Sequence, residues 1–295
     1  MDPDVYGLCL GGNVFGWTAD RAASFAVLDA YVAAGGNFID TADTYMRPNM
    51  GTSETIIGEW MTARGNRDAL VIATKVGSDG GLSAENIATH VDASLRRLQT
   101  DRIDLYYAHK DDGSVPVEET VRAFDKTVRE GKVRYLGASN VPPDRLRESL
   151  RLAADEGLEP YTWLQPHYNL VERAGYERDY APIVAEHELA VAPYYALASG
   201  FLTGKYRDGA TSDSPRAERA MSYLDARGER VLAALDEVAG ENGVPIASVA
   251  IMWLLAKPHV AAPIASARTP EQLGEILPSI GLTDEQVAKL DEASA

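Results

Sequence analysis

Cysteine is almost missing from this chain. Cys9 stands alone among 295 residues, so no intramolecular disulfide can form. That fits a reducing compartment, and a cytoplasmic location is expected. Long apolar runs are missing too; none approaches the ~18 residues that would span a bilayer. The opening MDPDVYG is acidic and lacks a basic region followed by an apolar one, so no secretory signal is read there. Basic residues are scarce, 28 against 44 acidic ones, for a formal net charge of −16. Such a field disfavours nucleic acid as a partner. An anionic cofactor can still bind if lysines and arginines gather at its site. Histidines are few, and His90, His167, His187 and His259 have no close second ligand at metal-site spacing; all four read as structural, and no metal is expected. Neither G-x-S-x-G nor G-x-x-x-x-G-K-[ST] occurs.

What is present is an alternation. Apolar, β-rich runs recur at 6–10, 37–41, 69–76, 104–109, 133–138, 161–165, 191–197 and 260–264. Between them, stretches with apolar spacing of three and four predict helices at 21–34, 54–64, 84–98, 117–130, 144–156, 180–188, 228–240 and 246–257. Alternation of this kind predicts parallel strands with helical crossovers. An open dinucleotide-binding sheet would carry G-x-G-x-x-G after its first strand. Here that position reads Gly11-Gly12-Asn13-Val14-Phe15-Gly16, so a closed (β/α)8 TIM barrel is favoured. Thr269-Pro270-Glu271-Gln272 and Thr283-Asp284-Glu285-Gln286 read as capping boxes. The stretch 206–223 is the longest polar one and reads as a loop. With no low-complexity tail or internal repeat, residues 1–295 read as a single domain.

Barrel enzymes collect their chemistry at the C-terminal ends of strands. In order, these ends carry Asp40 with Tyr45 beyond it, Lys75, His109, Ser139-Asn140, Gln165, Tyr194-Tyr195, and Ser266 with Arg268. Alone, each has an ordinary explanation as a turn cap, a surface charge or a structural side chain. Together, Asp40, Tyr45, Lys75 and His109 would make a device for protonating a carbonyl oxygen. A free tyrosine ionises near ~10, too high for efficient exchange at neutral pH, and a neighbouring ammonium favours its phenolate. A carboxylate fixes that lysine, and a histidine orients a carbonyl. The carbonyl carbon then needs a hydride, which no side chain supplies and a reduced nicotinamide does.

At this point the residues resemble the aldo-keto reductase superfamily. The matching blocks are 37-NFIDTADTY-45, 53-SETIIGEWM-61, 71-VIATKV-76, 104-DLYYAHKDD-112, 130-EGKVRYLGASN-140, 197-LASGFLTGKY-206 and 263-PIASARTPEQL-273. The resemblance implies a (β/α)8 barrel that reduces aldehydes or ketones with NADPH. It maps the family's catalytic residues onto Asp40, Tyr45, Lys75 and His109, with Tyr45 as general acid. It also implies nicotinamide contacts at Ser139, Asn140 and Gln165, an aromatic stack at Tyr194, and a pyrophosphate loop through Leu197, Ser199, Gly200 and Lys205. Ser266, Arg268 and Gln272 resemble the site for the adenosine 2′-phosphate. A helix beginning at Thr269 would add the anion preference of a helix start, and Arg268 a planar cation, favouring NADPH over NADH.

The chain also departs from the family. Members usually begin with a hairpin that closes the barrel bottom; here it is absent or shortened, leaving another subunit or the C-terminal helix to cover that face. Phe15 and Trp17 are expected to line the substrate pocket, together with the loop 46–52, favouring a moderately apolar carbonyl compound. Asp43 reads as scaffold. Two other functions stay open: a cofactor-binding sensor or channel-associated subunit with little turnover, and a barrel aldolase using Lys75 as a Schiff-base nucleophile. A small-molecule carbonyl partner is expected, with no membrane association and a monomer or small homo-oligomer.

Overall fold

Among the described residues, eight parallel strands alternate with helices in the connections between them. The structure, a computed structural model, describes residues 4–46, 49–111, 113–207, 216–278 and 281–295. The strands are β1 (Cys9–Gly11), β2 (Phe38–Asp40), β3 (Val71–Val76), β4 (Ile103–Ala108), β5 (Val133–Ser139), β6 (Tyr161–Gln165), β7 (Ala190–Val191) and β8 (Ile264–Ala265). Their spatial order is β7-β6-β5-β4-β3-β2-β1-β8. The two ends of that sheet meet. Val191 N donates to His259 O at 2.8 Å, Ala261 N to Val191 O at 2.9 Å, and Ile264 N to Pro193 O at 2.8 Å. This is the expected (β/α)8 barrel.

The helices are α1 (Arg21–Ala33), α2 (Thr52–Arg64), α3 (Ala84–Leu98), α4 (Val117–Arg129), α5 (Pro143–Glu156), α6 (Ala181–His187), α7 (Ala217–Met221), α8 (Ala226–Asn242), α9 (Ile246–Leu255), α10 (Pro270–Gly274) and α11 (Asp284–Ser294). Sequence and structure agree on the eight long helical segments to within a few residues at most ends. The two last strands differ more. β7 keeps only two residues and β8 begins four residues after the expected start, because Pro193 and Pro263 lack the amide hydrogen a ladder needs. The polar stretch 206–223 is not all loop, since α7 lies within it; residues 208–215 of it are outside the described residues. Among the described residues no single helix is long and apolar enough to cross a membrane.

Alternation along the strands divides the buried apolar residues into two clusters. Cys9, Phe38, Val71, Ala73, Leu105, Tyr107, Trp163, Ala192 and Ile264 pack inside the barrel. Leu10, Ile39, Ile72, Val76, Tyr106, Ala138 and Leu164 belong to the larger cluster between strands and helices. A fixed period of two then assigns the next residues without further choice. Asp40, Lys75, Ser139 and Gln165 all fall on the inward side, at the last turn of the barrel, and all are buried.

No strand precedes β1 among the described residues. The segment before it is tied across the bottom: Tyr6 N donates to Asn37 Oδ1 and Asn37 Nδ2 to Asp4 O, each at 2.8 Å. Val5 packs against the inner cluster. The C-terminal helix α11 braces the outer ring. Lys289 pairs with Glu237 of α8 at 2.8 Å, and Asp291 accepts from Trp253 Nε1 of α9 at 3.0 Å. Its start is a closed capping box, Thr283 with Gln286. The box expected at Thr269 forms only one of its two bonds, because Gln272 Oε1 accepts from Arg268 N, one residue earlier.

Gly58 sets how closely α2 approaches α3. A Cβ there would collide with the backbone of Arg97 and Leu98. Gly58→Ala should therefore lower stability by about 2 kcal/mol or more despite its better helix propensity. Urea denaturation would read this directly, and an unchanged midpoint would contradict the packing.

Candidate active site

Asp40 ends β2, and Lys75 lies one position short of the end of β3. The register sets Asp40 beside Ala73, and the chain leaving β2 keeps bonding along β3, with Thr41 N to Ala73 O at 2.8 Å. The two side chains thus rise from the barrel floor beside one another. Lys75 Nζ donates to Asp40 Oδ2 at 2.6 Å, to Thr41 O at 2.6 Å and to Tyr45 Oη at 3.1 Å. All three ammonium protons find acceptors in a site where the lysine is fully buried. Asp40 is satisfied from its other side by Gln165 Nε2, which donates across the barrel to Oδ1 at 2.9 Å.

The electrostatics follow from this geometry. Burial opposes the charge on Lys75, yet Asp40 and Tyr45 outweigh it and hold the amine above its usual range. Burial also raises the Tyr45 phenol above 10, and Lys75 pulls it back only in part. The expectation that Lys75 lowers this group holds for the pairwise effect, not for the sum. Tyr45 is a protonated donor at neutral pH. Its ring meets that of His109 edge-on at 6.1 Å between centroids. Burial, reinforced by Lys75, depresses His109 to about 3, so the imidazole is neutral. Its Nδ1 is buried without a protein partner.

Asp43 is more than a turn residue. Its carboxylate is buried and takes His90 Nδ1 of α3 at 2.6 Å, while Asp43 N donates to Lys75 O at 3.3 Å. Desolvation raises it to about 6, against the pull of His90. Asp43 and His90 thus form a hydrogen-bonded pair behind the Tyr45 turn.

A cavity of about 630 Å³ opens above this floor. It is lined by Asp40, Tyr45, His109, Ser139, Asn140, Gln165, Tyr194, Leu197, Ser199, Gly200, Lys205, Ser266, Arg268, Gln272 and Trp17, so nearly every residue singled out in the sequence borders one space. Lys75 lies beneath it. Phe15 is the exception and corrects the expected pocket lining. It is wholly buried among the residues between strands and helices, because the turn Gly12–Val14 and the left-handed Gly16 direct Val14 and Trp17 to the cavity instead. The described residues of the loop 46–52 do not line the cavity either; residues 47 and 48 are outside the description.

Asn140 adopts φ 51°, a conformation asparagine tolerates, and uses it to tie three strand ends. Its Nδ2 donates to His109 O at 2.9 Å and Ser139 Oγ at 3.0 Å, and its Oδ1 accepts from Tyr194 Oη at 2.8 Å. Tyr194 in turn stacks on His167 at 5.3 Å. Ala198, Ser199 and Gly200 form a run of positive φ. A Cβ on Gly200 would lie 3.2 Å from Lys205 Nζ, so glycine is needed both for its φ of 94° and for the lysine that lies over it. Ser266 Oγ and Asn13 Oδ1 are 2.7 Å apart. Helix α10 is only five residues long, so the cation of Arg268 counts for more here than the helix start.

Tyr195, read with Tyr194 at the end of the seventh strand, lines the cavity too; sequence reasoning missed Asn13, Arg216, Arg219 and Glu275, which also line it. Arg216 and Arg219 lie in the aperiodic polar stretch, where no pattern says which way a side chain faces. With Lys205 and Arg268 they place four cations on the lining, against Glu275 and the already paired Asp40. The local charge is opposite to the net −16 of the chain. Among the described residues no cluster suited to a metal ion occurs.

A sequence model of the Aldo/keto reductase family matches residues 7–295. Norsolorinic acid reductase B of Aspergillus parasiticus is 34% identical over 97% of this chain and 80% of its own length. Aryl-alcohol dehydrogenase [NADP(+)] of Phanerodontia chrysosporium is 36% identical over 93% and 77%. An uncharacterized oxidoreductase of Bacillus subtilis, YrpG, is 34% identical over 96% and 90%.

The depressed His109 is directly measurable. NMR titration of the imidazole should show it neutral down to about pH 4, well below the usual ~6.5. Lys75→Met should move it upward, since that removes one of its two causes and leaves Asp40 uncompensated. A titration near 6.5 in the unaltered protein would contradict the buried, lysine-facing placement.

Proposed function

The chain belongs to the aldo/keto reductase family of oxidoreductases, and from that premise we propose that it reduces an aldehyde or ketone with NADPH, Tyr45 serving as the general acid. The observation that carries this reading is the buried Asp40–Lys75–Tyr45 chain of short contacts at the floor of the cavity, with neutral His109 at its side.

The residues present fit a nicotinamide dinucleotide. Polar groups, aromatic rings and four cations share the lining, and the volume is within the ~300–1,000 Å³ usual for ligand sites. Ser139, Asn140, Gln165 and Tyr194 would hold the nicotinamide, and Leu197, Ser199, Gly200 and Lys205 the pyrophosphate. Ser266, Arg268 and Gln272 would take the 2′-phosphate, the reason to prefer NADPH; a relative whose name carries NADP(+) points the same way. When bound, the reduced cofactor supplies the hydride that the carbonyl carbon requires.

The chain's own residues do the rest. Tyr45 keeps its proton at neutral pH and gives it to the carbonyl oxygen as negative charge develops there. Lys75, already charged and 3.1 Å away, stabilises the phenolate that remains. Asp40 holds Lys75 in place, and Gln165 holds Asp40. His109 can donate one N–H to the carbonyl oxygen without competing for the proton. The relatives named for aryl-alcohol and norsolorinic acid chemistry, together with Trp17, Tyr194 and Tyr195 on the lining, favour an aromatic carbonyl compound. An aldolase reading fits less well, because a Schiff-base lysine must be exposed and neutral, whereas Lys75 is buried, triply bonded and cationic.

Tyr45→Phe should lower kcat for reduction of an aromatic aldehyde by about 10²-fold or more while leaving NADPH affinity within a few-fold. Steady-state kinetics with fluorescence titration of the cofactor separates the two, and full activity in the variant would overturn the assignment. In a second comparison, Asp40→Asn should cost far more turnover than Asp43→Asn. The first leaves the buried ammonium of Lys75 with no counter-charge, and the second weakens only the support behind the turn.

A further inference from the structure

The geometry points to an anion subsite at the mouth of the cavity, where Arg219 stacked on Tyr195 selects aromatic carbonyl substrates that also carry a carboxylate or an ionised phenol. This rests on the carbonyl-reduction reading above. Arg219 and Tyr195 line the same cavity as Tyr45 and His109. The guanidinium carbon of Arg219 sits 4.3 Å from the Tyr195 ring centre. A guanidinium held over a ring still has N–H groups to offer a planar, bidentate acceptor.

Three observations separate this pair from ordinary surface charge. Tyr195 holds φ at 53°, a strained setting for so bulky a residue, and strain of that kind concentrates at ligand sites. Tyr195 lies close enough to Tyr45 to oppose its ionisation, and Arg219 close enough to Tyr194 and His167 to act on both. The cation is thus at the ring-lined end where the proton is delivered. Finally, Arg219 forms no ion pair among the described residues. Besides Tyr195, its side chain meets the neutral Tyr223, whose hydroxyl donates to Glu172 at 3.2 Å.

A substrate of this class would lay its ring along Trp17 and Tyr195, turn its carbonyl to Tyr45 and leave its anionic group on the Arg219 edge. In a chain of net charge −16 a local cation is what makes an anionic substrate welcome at all.

The test pairs 4-formylbenzoate with 4-nitrobenzaldehyde, a neutral compound of nearly the same shape. The ratio of their kcat/KM values with NADPH should fall about tenfold in Arg219→Gln, as expected for one charge-assisted contact. Arg219→Lys should restore part of it, and added salt should lower the ratio in the unaltered enzyme. Calorimetric binding of 4-formylbenzoate in the presence of NADP+, which needs no turnover, should weaken by the same factor in Arg219→Gln. A ratio and an affinity that both ignore Arg219→Gln would overturn the subsite. Binding that depends on Arg219 without reduction of either aldehyde would uphold the subsite and overturn the carbonyl-reduction reading instead.

Discussion

A lysine ammonium with no exposed surface is the constraint on which the site depends. Burying such a charge unpaired would cost far more than a domain's net stability, and the amine would give up its proton first. Lys75 keeps it because three acceptors converge: a carboxylate, a backbone carbonyl and a phenol. Each comes from the strand next door or the turn that leaves it. The position of Tyr45 is therefore a consequence of satisfying the lysine. Asp40, held from across the barrel by Gln165, links β2 to β6 over 125 residues of sequence, so the site is also a tie across the barrel.

The same economy governs protons. Burial alone would weaken Tyr45 further as an acid, and Lys75 offsets part of that burial. The pair leaves the tyrosine protonated yet close to a cation that favours its ionised form. Burial plus Lys75 keeps His109 neutral, an imidazole that can donate one hydrogen bond. Behind the turn, Asp43 and His90 bury a second polar pair that fixes the path from β2 to Tyr45.

Much of this was legible beforehand. Strand-helix alternation specified the barrel, and polar residues at successive strand ends marked the functional rim. Asp40, Lys75, His109, Ser139 and Gln165 could be read because their places follow from a period of two. The misreadings fall where no period operates. Phe15 lies in a turn, where one residue's difference separates cavity from core, and Trp17 two positions on faces the cavity as expected. The shortened β7 and displaced β8 follow from prolines whose effect depends on which edge of the strand they occupy.

By itself the sequence determined the element order, the inward set of residues on each strand and the polar groups that meet at the strand ends. Local patterning is enough for those, since helix and strand periods act over a few residues. Only the tertiary structure decided which groups became partners. It gave Gln165 to Asp40, His90 to Asp43, and Arg219 to Tyr195. It also gathered four cations around a cavity in an acidic protein, and showed that burial outweighs Lys75 in setting the Tyr45 phenol. Those outcomes depend on distances between residues far apart in the chain and on how much water is excluded around them. Neither quantity exists until the barrel closes.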